Sequence, residues 1–415
     1  MNLISDRKIY VGLATLPHQA ASAVGLLKLA RRGVLESGEY AYGHQYLSSP
    51  VSIALNNEYM PLTSTPMKLH ERRLRDGGAL PLTLRDALPD SWGRRVLEVQ
   101  HGGALDDIDV LLLTNSDRVG AMVFSESLPI YAESNETSLI LLEEMSEAVK
   151  RLEMSMEITP EMRRLLQRGG SLGGARPKAT FIHNNRRWIA KFPALGDDHD
   201  VELLEISLLK LAELCGIEVS ASHLEPIQRG HAILIARFDR DGEVGSERRI
   251  HYLSASALLN APYESNAGSY VEFAQLIRKI SCNPKCDLNQ LYRRMIFNLV
   301  VDNSDDHVKN HGALHMGGNQ YRLSPAFDIV MQFKNIGYQE LAITNGNHTS
   351  SMRLAKEVAP HFGFNHQEAT NIIDSIQQTV HAQMANIAGQ FGADAALQQR
   401  IKLCLTRQLE LINSQ

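Results

Sequence analysis

Asn303-Ser304-Asp305-Asp306-His307-Val308-Lys309-Asn310 is the stretch on which the reading of this chain turns. It sets seven polar residues around one valine, directly after the apolar run Met295–Val301 (MIFNLVV) and Asp302. A solvated loop would explain that composition by itself. The spacing points elsewhere. Asp305 precedes Asn310 by five positions, with His307 and Lys309 between them.

That spacing is the one in the protein-kinase loop H-R-D-x-x-x-x-N, where the aspartate takes the substrate hydroxyl proton and the asparagine holds Mg²⁺. Asp305 fits the base role and Asn310 the metal role, while Lys309 or His307 can neutralise phosphate charge. Eighteen positions beyond Asn310, Leu323-Ser324-Pro325-Ala326-Phe327-Asp328-Ile329 places Asp328 behind the strand-like Tyr321–Leu323. A second Mg²⁺ ligand is expected there, although a lone Asp after Pro also serves as a cap or turn residue.

Upstream, the turn Gly169-Gly170-Ser171-Leu172-Gly173-Gly174-Ala175-Arg176-Pro177-Lys178 can wrap phosphates, because glycines let backbone N–H groups approach anions closely. Lys178 adds a point charge. Pro177 before the lysine excludes a Walker A loop. A hairpin follows, Ala179–His183 and Trp188–Phe192 joined by Asn184-Asn185, and Val201–Leu214 reads as an amphipathic helix ending at Gly216. Lys191 lies among apolar strand residues, and Glu202 and Glu205 lie one turn apart on the helix. A strand lysine paired with a glutamate of the next helix is the kinase device for holding α- and β-phosphates. Phosphate loop, strand lysine, helix glutamate, base-plus-asparagine loop and metal aspartate thus occur in that order.

Length and composition set the frame. The chain has 415 residues, 44% hydrophobic and 21% charged, with a formal net charge of −5. Two or three structural units of an ordinary globular protein are expected, and a broad nucleic-acid grip is disfavoured. Arg237, Arg240, Arg248 and Arg249 suggest a local basic patch. Cys215 and Cys404 sit in apolar patterns and read as core. Cys282 and Cys286 lack a second pair at zinc spacing. No window approaches a membrane span and no secretory signal opens the sequence, so a cytoplasmic protein with no membrane partner is expected.

Lys8–Leu13 and Val119–Phe124 read as strands, Ser22–Arg32 as strand or helix, and Asp86–Val99 as a turn leading into a helix. Glu133–Arg168 is rich in Glu, Leu and Met and is interrupted at Pro160. Ile217–Ile227 and His231–Phe238 read as further strands. From Ser254 the pattern is mostly helical, broken by the polar segment Asp302–Asn319. Four parts result: an N-terminal subdomain at 1–132, a helical connector at 133–168, a nucleotide-binding part at 169–240, and a helical lobe with the catalytic loop at 241–415.

In Ser171–Thr180 (SLGGARPKAT), Arg237-Phe238-Asp239-Arg240, Asn303–Asn310 and Ser324–Asp328 the sequence resembles the HipA family of bacterial toxin kinases. Leu88-Pro89-Asp90 with Arg94-Arg95, and Asp117-Arg118-Val119-Gly120-Ala121, extend the resemblance into the N-terminal part. It implies an α+β, bilobed, protein-kinase-like fold of HipA type, with a mixed α/β N-terminal subdomain and a mostly helical C-terminal lobe. It further implies a cytoplasmic serine/threonine kinase with ATP bound between the lobes. Gly173, Gly174, Ala175, Arg176 and Lys178 would cover the phosphates, and Lys191 with Glu205 would contact them. Ala236, Arg237 and Phe238 would form the adenine hinge, and His307 would touch the nucleotide. Asp305 would be the base with Lys309 beside it, and Asn310 and Asp328 would hold Mg²⁺. Ser171 stands where family members phosphorylate themselves, which switches the enzyme off.

Family kinship also implies a protein substrate such as an aminoacyl-tRNA synthetase. It implies a HipB-like DNA-binding antitoxin as partner, with DNA reached only through it. Two rival readings share parts of this pattern. One is a kinase-shaped corepressor that acts by binding an antitoxin–DNA complex, and the other is a small-molecule kinase.

Overall fold

The computed structural model describes residues 4–16, 19–114, 117–131, 142–166 and 174–415. Ser171 and Gly173, expected at the phosphate loop, lie outside the described residues.

The N-terminal part is built on an antiparallel sheet in the order β4-β3-β2-β1-β5. Its strands are β1 (Ile4–Leu13), β2 (Ser22–Arg32), β3 (Leu35–Tyr42), β4 (Met67–Arg73) and β5 (Met122–Ser125). The ambiguous run Ser22–Arg32 is therefore a strand. Val24, Leu27 and Leu29 are buried, and Gly25–Arg32 pairs with β1 on one side and β3 on the other. Helices α1 (His44–Leu47), α2 (Leu82–Arg85), α3 (Ser91–His101) and α4 (Asp107–Leu113) complete this part. Two helices follow, α5 (Leu142–Glu153) and α6 (Pro160–Leu166). Pro160 opens α6, where a missing N–H leaves nothing unpaired, so it starts a helix where an interruption was expected.

Next comes a four-stranded sheet in the order β6-β7-β9-β8, from β6 (Lys178–His183), β7 (Arg186–Lys191), β8 (Ser222–Pro226) and β9 (His231–Ala236). Asn184 and Asn185 both adopt the left-handed conformation that tightens the β6–β7 turn, at φ 48° and 56°. The strand expected over Ile217–Ile227 is shorter, because Val219 leaves the sheet to make a parallel bridge with Ala326. Strand alternation sends Trp188, Ala190, Ala232 and Leu234 into one core cluster with α3 and α5. The opposite face carries Ile233 and Ile235 into the main core, together with the apolar side of α7 (Val201–Leu214). Lys191 has the parity of that second face. Asp200 caps α7, accepting from Leu203 N–H at 2.9 Å, and Gly216 at φ 72° ends it.

The C-terminal lobe begins after a short ribbon, β10 (Arg240–Asp241) with β11 (Arg248–Arg249), at β12 (Tyr252–Ser254). Its helices are α8 (Ala255–Leu259), α9 (Tyr270–Ile280), α10 (Pro284–Val300), α11 (Met352–Val358), α12 (His366–Gln390) and α13 (Ala395–Ser414). Strands β13 (Gly312–Gly317) and β14 (Gln320–Leu323) pair with β12 in a three-stranded sheet. The polar segment Asp302–Asn319 therefore contains a strand that local composition did not signal. The result is the bilobed, kinase-like arrangement, and none of the helices among the described residues is long and apolar enough to cross a membrane.

The expected basic patch is not a surface. Arg237 and Arg249 are buried, and Arg237 grips Asp239 through two bonds of 2.9 and 2.7 Å. Arg237 also donates to the carbonyls of Asp117 and Arg118, and Asp239 accepts from Gly120 N–H at 2.7 Å and from Arg240 at 2.6 Å. A buried charge must find a partner. These arginines therefore turn inward and clamp the N-terminal subdomain to the end of β9. Only Arg248 is left on the outside. Against the push of burial, Arg237 and Arg240 hold the Asp239 carboxyl far below the usual range. Replacing Asp239 with Ala leaves these guanidiniums uncompensated and should lower unfolding stability by about 3–5 kcal/mol. Denaturant titration of the variant checks this, and a loss within the ordinary scatter of surface substitutions would contradict it.

Candidate active site

The parity of β7 brings the site together. Lys191 points to the α7 face, where Glu205 lies buried one turn after Glu202. The Lys191 ammonium meets Glu205 Oε1 at 2.6 Å and Asp328 Oδ1 at 2.7 Å. Strand lysine, helix glutamate and the aspartate behind β14 are thus joined through one charge, across the two lobes. Asp328 is held at φ 57°, a strained conformation for a non-glycine residue. The neighbouring Lys191 keeps its carboxyl ionised, well below the usual range. Against its own burial, Lys191 is held charged by Asp328 and Glu205.

Register then sets Lys178 directly opposite Lys191 on the β6–β7 pair. Two like charges face each other in a buried place, which is unfavourable without an anion between or beside them. Burial, with Lys191 adding to it, pushes the Lys178 amine down to about 8. Gly174 at φ 97° lies over this amine, and a Cβ there would strike the Lys178 Nζ. Glu202 is committed differently. It takes Arg176 at 2.8 Å, and Arg176 also pairs with Asp197 at 2.6 Å.

The loop Asn303–Asn310 is bolted from beneath. Asp302, at φ 56°, accepts from the N–H groups of Lys334 and Asn335 at 2.7 and 3.0 Å. Asp306 is buried, pairs with His311 at 2.9 Å and accepts from the Tyr270 hydroxyl, which in turn accepts from Asn298 at 3.1 Å. These flanking carboxylates fix the backbone, and the one between them, Asp305, stays exposed. Among the described residues no side chain bonds its carboxylate. Burial of its surroundings raises the Asp305 carboxyl above its ordinary value; His307 opposes the rise and the Asp328 charge adds to it. Two carboxylates that feel one another are therefore driven apart, one fixed as an anion and one made more basic. Asn310 lies in the same turn, its amide donating to the Asp305 carbonyl at 3.4 Å. His307 packs edge-on against Tyr263 with ring centres 4.6 Å apart.

Asp305, His307, Asp328, Lys178, Lys191 and Glu205 thus lie within electrostatic reach of one another, with Asn310 in the turn of Asp305. Lys309 is paired with Asp90 of the N-terminal subdomain. The Arg176 guanidinium, expected at the phosphates, is paired with Asp197 and Glu202. The Arg237 side chain, expected at the adenine hinge, belongs to the buried clamp, and its N–H serves the Arg187 carbonyl at 3.1 Å. Phe238 packs against Phe327 and Tyr252 at 5.5 Å, and Ala236 N–H bonds the Ala221 carbonyl at 2.8 Å. Asp90 itself was missed as a contact of the cleft, because a residue of another subdomain leaves no local spacing to read.

Residues 170–384, just over half of the chain, match the family model of the HipA-like C-terminal domain. The chain belongs to the HipA-like family. The serine/threonine-protein kinase toxin HipA of Shewanella oneidensis is 25% identical over 243 residues, covering 52% of this chain and 54% of that protein. The Sinorhizobium fredii protein Y4mE is 25% identical over 210 residues, covering 46% and 48%. The chain spans about half the length of the curated relatives it matches. The solved structure of Shewanella oneidensis HipA, in complex with HipB and operator DNA, superposes with a TM-score of 0.65 at 16% identity, over 96% of both chains. The HipA-type fold therefore includes the N-terminal subdomain.

The Lys178–Lys191 confrontation has a measurable consequence. Lys178 has a folded value near 8 against 10.5 in the unfolded chain, so its charge weighs against folding fully below pH 8. That penalty fades as pH rises from about 8 to 10.5. Lys178→Met should therefore melt at a higher temperature than wild type at pH 7, and the gap should narrow above pH 8. A variant that melts lower at pH 7, or a gap that widens with pH, would contradict the assignment.

Proposed function

We propose that this chain is an ATP- and Mg²⁺-dependent kinase that transfers a phosphate to a serine or threonine hydroxyl of a protein. The observation that carries the reading is the Lys191 ammonium shared between Glu205 and Asp328, with the unbonded carboxylate of Asp305 in the same cleft. Lys191 and Lys178 would take the phosphates of ATP, and Gly174 would offer its N–H from above. Mg²⁺ suits the donors present, because it takes one or two protein oxygens and leaves the rest to phosphates and water. Asp328, kept ionised, and Asn310 would hold it, and the ion would neutralise charge on the transferring group. Asp305 would orient the acceptor hydroxyl and take its proton. Its raised carboxyl value makes it a better base than an ordinary surface aspartate.

The finer points follow from family likeness. An aminoacyl-tRNA synthetase would be the protein substrate, and Ser171 the site of self-modification. A phosphate on Ser171, in the same glycine-rich sequence as Gly174 and Lys178, would oppose ATP phosphates by like-charge repulsion. The Shewanella HipA structure contains HipB and operator DNA, which supports a HipB-like partner for this chain, with DNA reached through it.

Incubation with ATP and Mg²⁺, followed by mass spectrometry of the chain and of a cell lysate, tests the reading. Asp305→Asn should keep the fold and lose about 10²-fold or more in labelling rate. Equal labelling by Asp305→Asn and wild type would remove Asp305 from the chemistry, and no labelling by wild type would remove the kinase.

A further inference from the structure

The N-terminal subdomain enters the cleft through one short strap, residues 86–92. At its start Asp86 accepts from the Ser254 N–H at 2.6 Å and from the Ser254 hydroxyl at 2.5 Å. At its end the buried Trp92 donates through Nε1 to the Lys178 carbonyl at 3.1 Å. Between these anchors stands Asp90, the residue before α3. An aspartate there ordinarily accepts an N–H of its own first turn. Asp90 makes no such bond. Its Oδ2 accepts from the Gly174 N–H at 2.5 Å, and its Oδ1 pairs with the Lys309 ammonium. The strap therefore forgoes a helix cap and spends both carboxylate oxygens on the glycine-rich turn and the catalytic loop.

Those two donors, with Lys178 nearby, are the ones a nucleotide phosphate would use. We propose that the Asp90 carboxylate stands in for a phosphate of ATP, so that the N-terminal subdomain competes with the nucleotide for its own cleft. This rests on the kinase reading above. Phosphate and carboxylate are both anionic acceptors, and neither Gly174 N–H nor the field of Lys309 can serve both without repulsion between them. Against the push of burial, Lys309 and the Gly174 N–H hold Asp90 below the usual carboxylate range, so it stays an anion at neutral pH. ATP must displace this carboxylate before its phosphates meet the glycine-rich turn. A partner or substrate that draws the strap away would raise nucleotide affinity.

The test is calorimetric titration of the full-length wild type, Asp90→Ala and Asp90→Asn with MgATP and, separately, with adenosine. Both variants should bind MgATP roughly tenfold more tightly than wild type, as expected for removing one charge-assisted competitor. Adenosine affinity should be the same in all three, because the effect is confined to the phosphates. Asp90→Asn keeps the shape of the strap and guards against a variant that fails to fold, which thermal melts will show. Unchanged or weaker MgATP binding in the folded variants would overturn the proposal, and weaker binding would make Asp90 a residue that positions the turn. If none of the three binds MgATP or adenosine, the nucleotide reading falls and this proposal with it.

Discussion

A single ammonium group, that of Lys191, holds the cleft together. It lies on a strand of one lobe and satisfies a carboxylate from the adjacent helix and another from the far lobe, at 2.6 and 2.7 Å. Lys191 and Glu205 are buried and Asp328 is half-buried, so the ammonium and the helix carboxylate could not be left alone at a tolerable free energy. Helix α7 must therefore sit against β7 with Glu205 inward, and the segment after β14 must bring Asp328 across. The positive φ of Asp328 is a strain the pairing sustains. Lobe placement and site chemistry are consequences of the same electrostatic requirement.

The same requirement explains how the N-terminal subdomain is fastened. Arg237, Asp239 and Arg240 form a buried charged knot that binds the backbone of residues 117–120. Asp86 ties the subdomain to Ser254, and Asp90 ties it to both halves of the cleft. The loop Asn303–Asn310 is held in a like manner. Asp302 and Asp306 bind the backbone and Tyr270 beneath it, leaving Asp305 as the carboxylate available to a substrate. Two of the loop's acids hold its shape and the third is left unbonded among the described side chains.

Local signals carried much of this in the sequence. Val201–Leu214 was legible from end to end, because Asp200 caps it, Gly216 closes it and its apolar residues cover it. The β6–β7 hairpin was legible from Asn184-Asn185, and a pair between Lys191 and a glutamate of the next helix from the order of elements. The choice of Glu205 over Glu202 was not legible, because Arg176 takes Glu202. The spacing also singled out Asp305, Asn310 and Asp328, which the structure places near one another. What escaped depends on partners distant in the chain. Lys309 meets Asp90 across 219 positions, and Arg237 meets Arg118 across 119. Arginines clustered in sequence look like a surface patch until the buried aspartate and the backbone carbonyls that take them are seen. Likewise β13 was hidden in a polar segment, because its pairing with β12 and β14 gives it order that composition does not.

The claim that Lys191 and Asp328 act as one unit is tested most directly by a double-mutant cycle on phosphotransfer, with Lys191→Met, Asp328→Asn and the two combined. The account predicts strong non-additivity: the double variant loses little more than the worse single one, with an interaction of about 1–3 kcal/mol. Losses that simply add, in variants that remain folded, would contradict it.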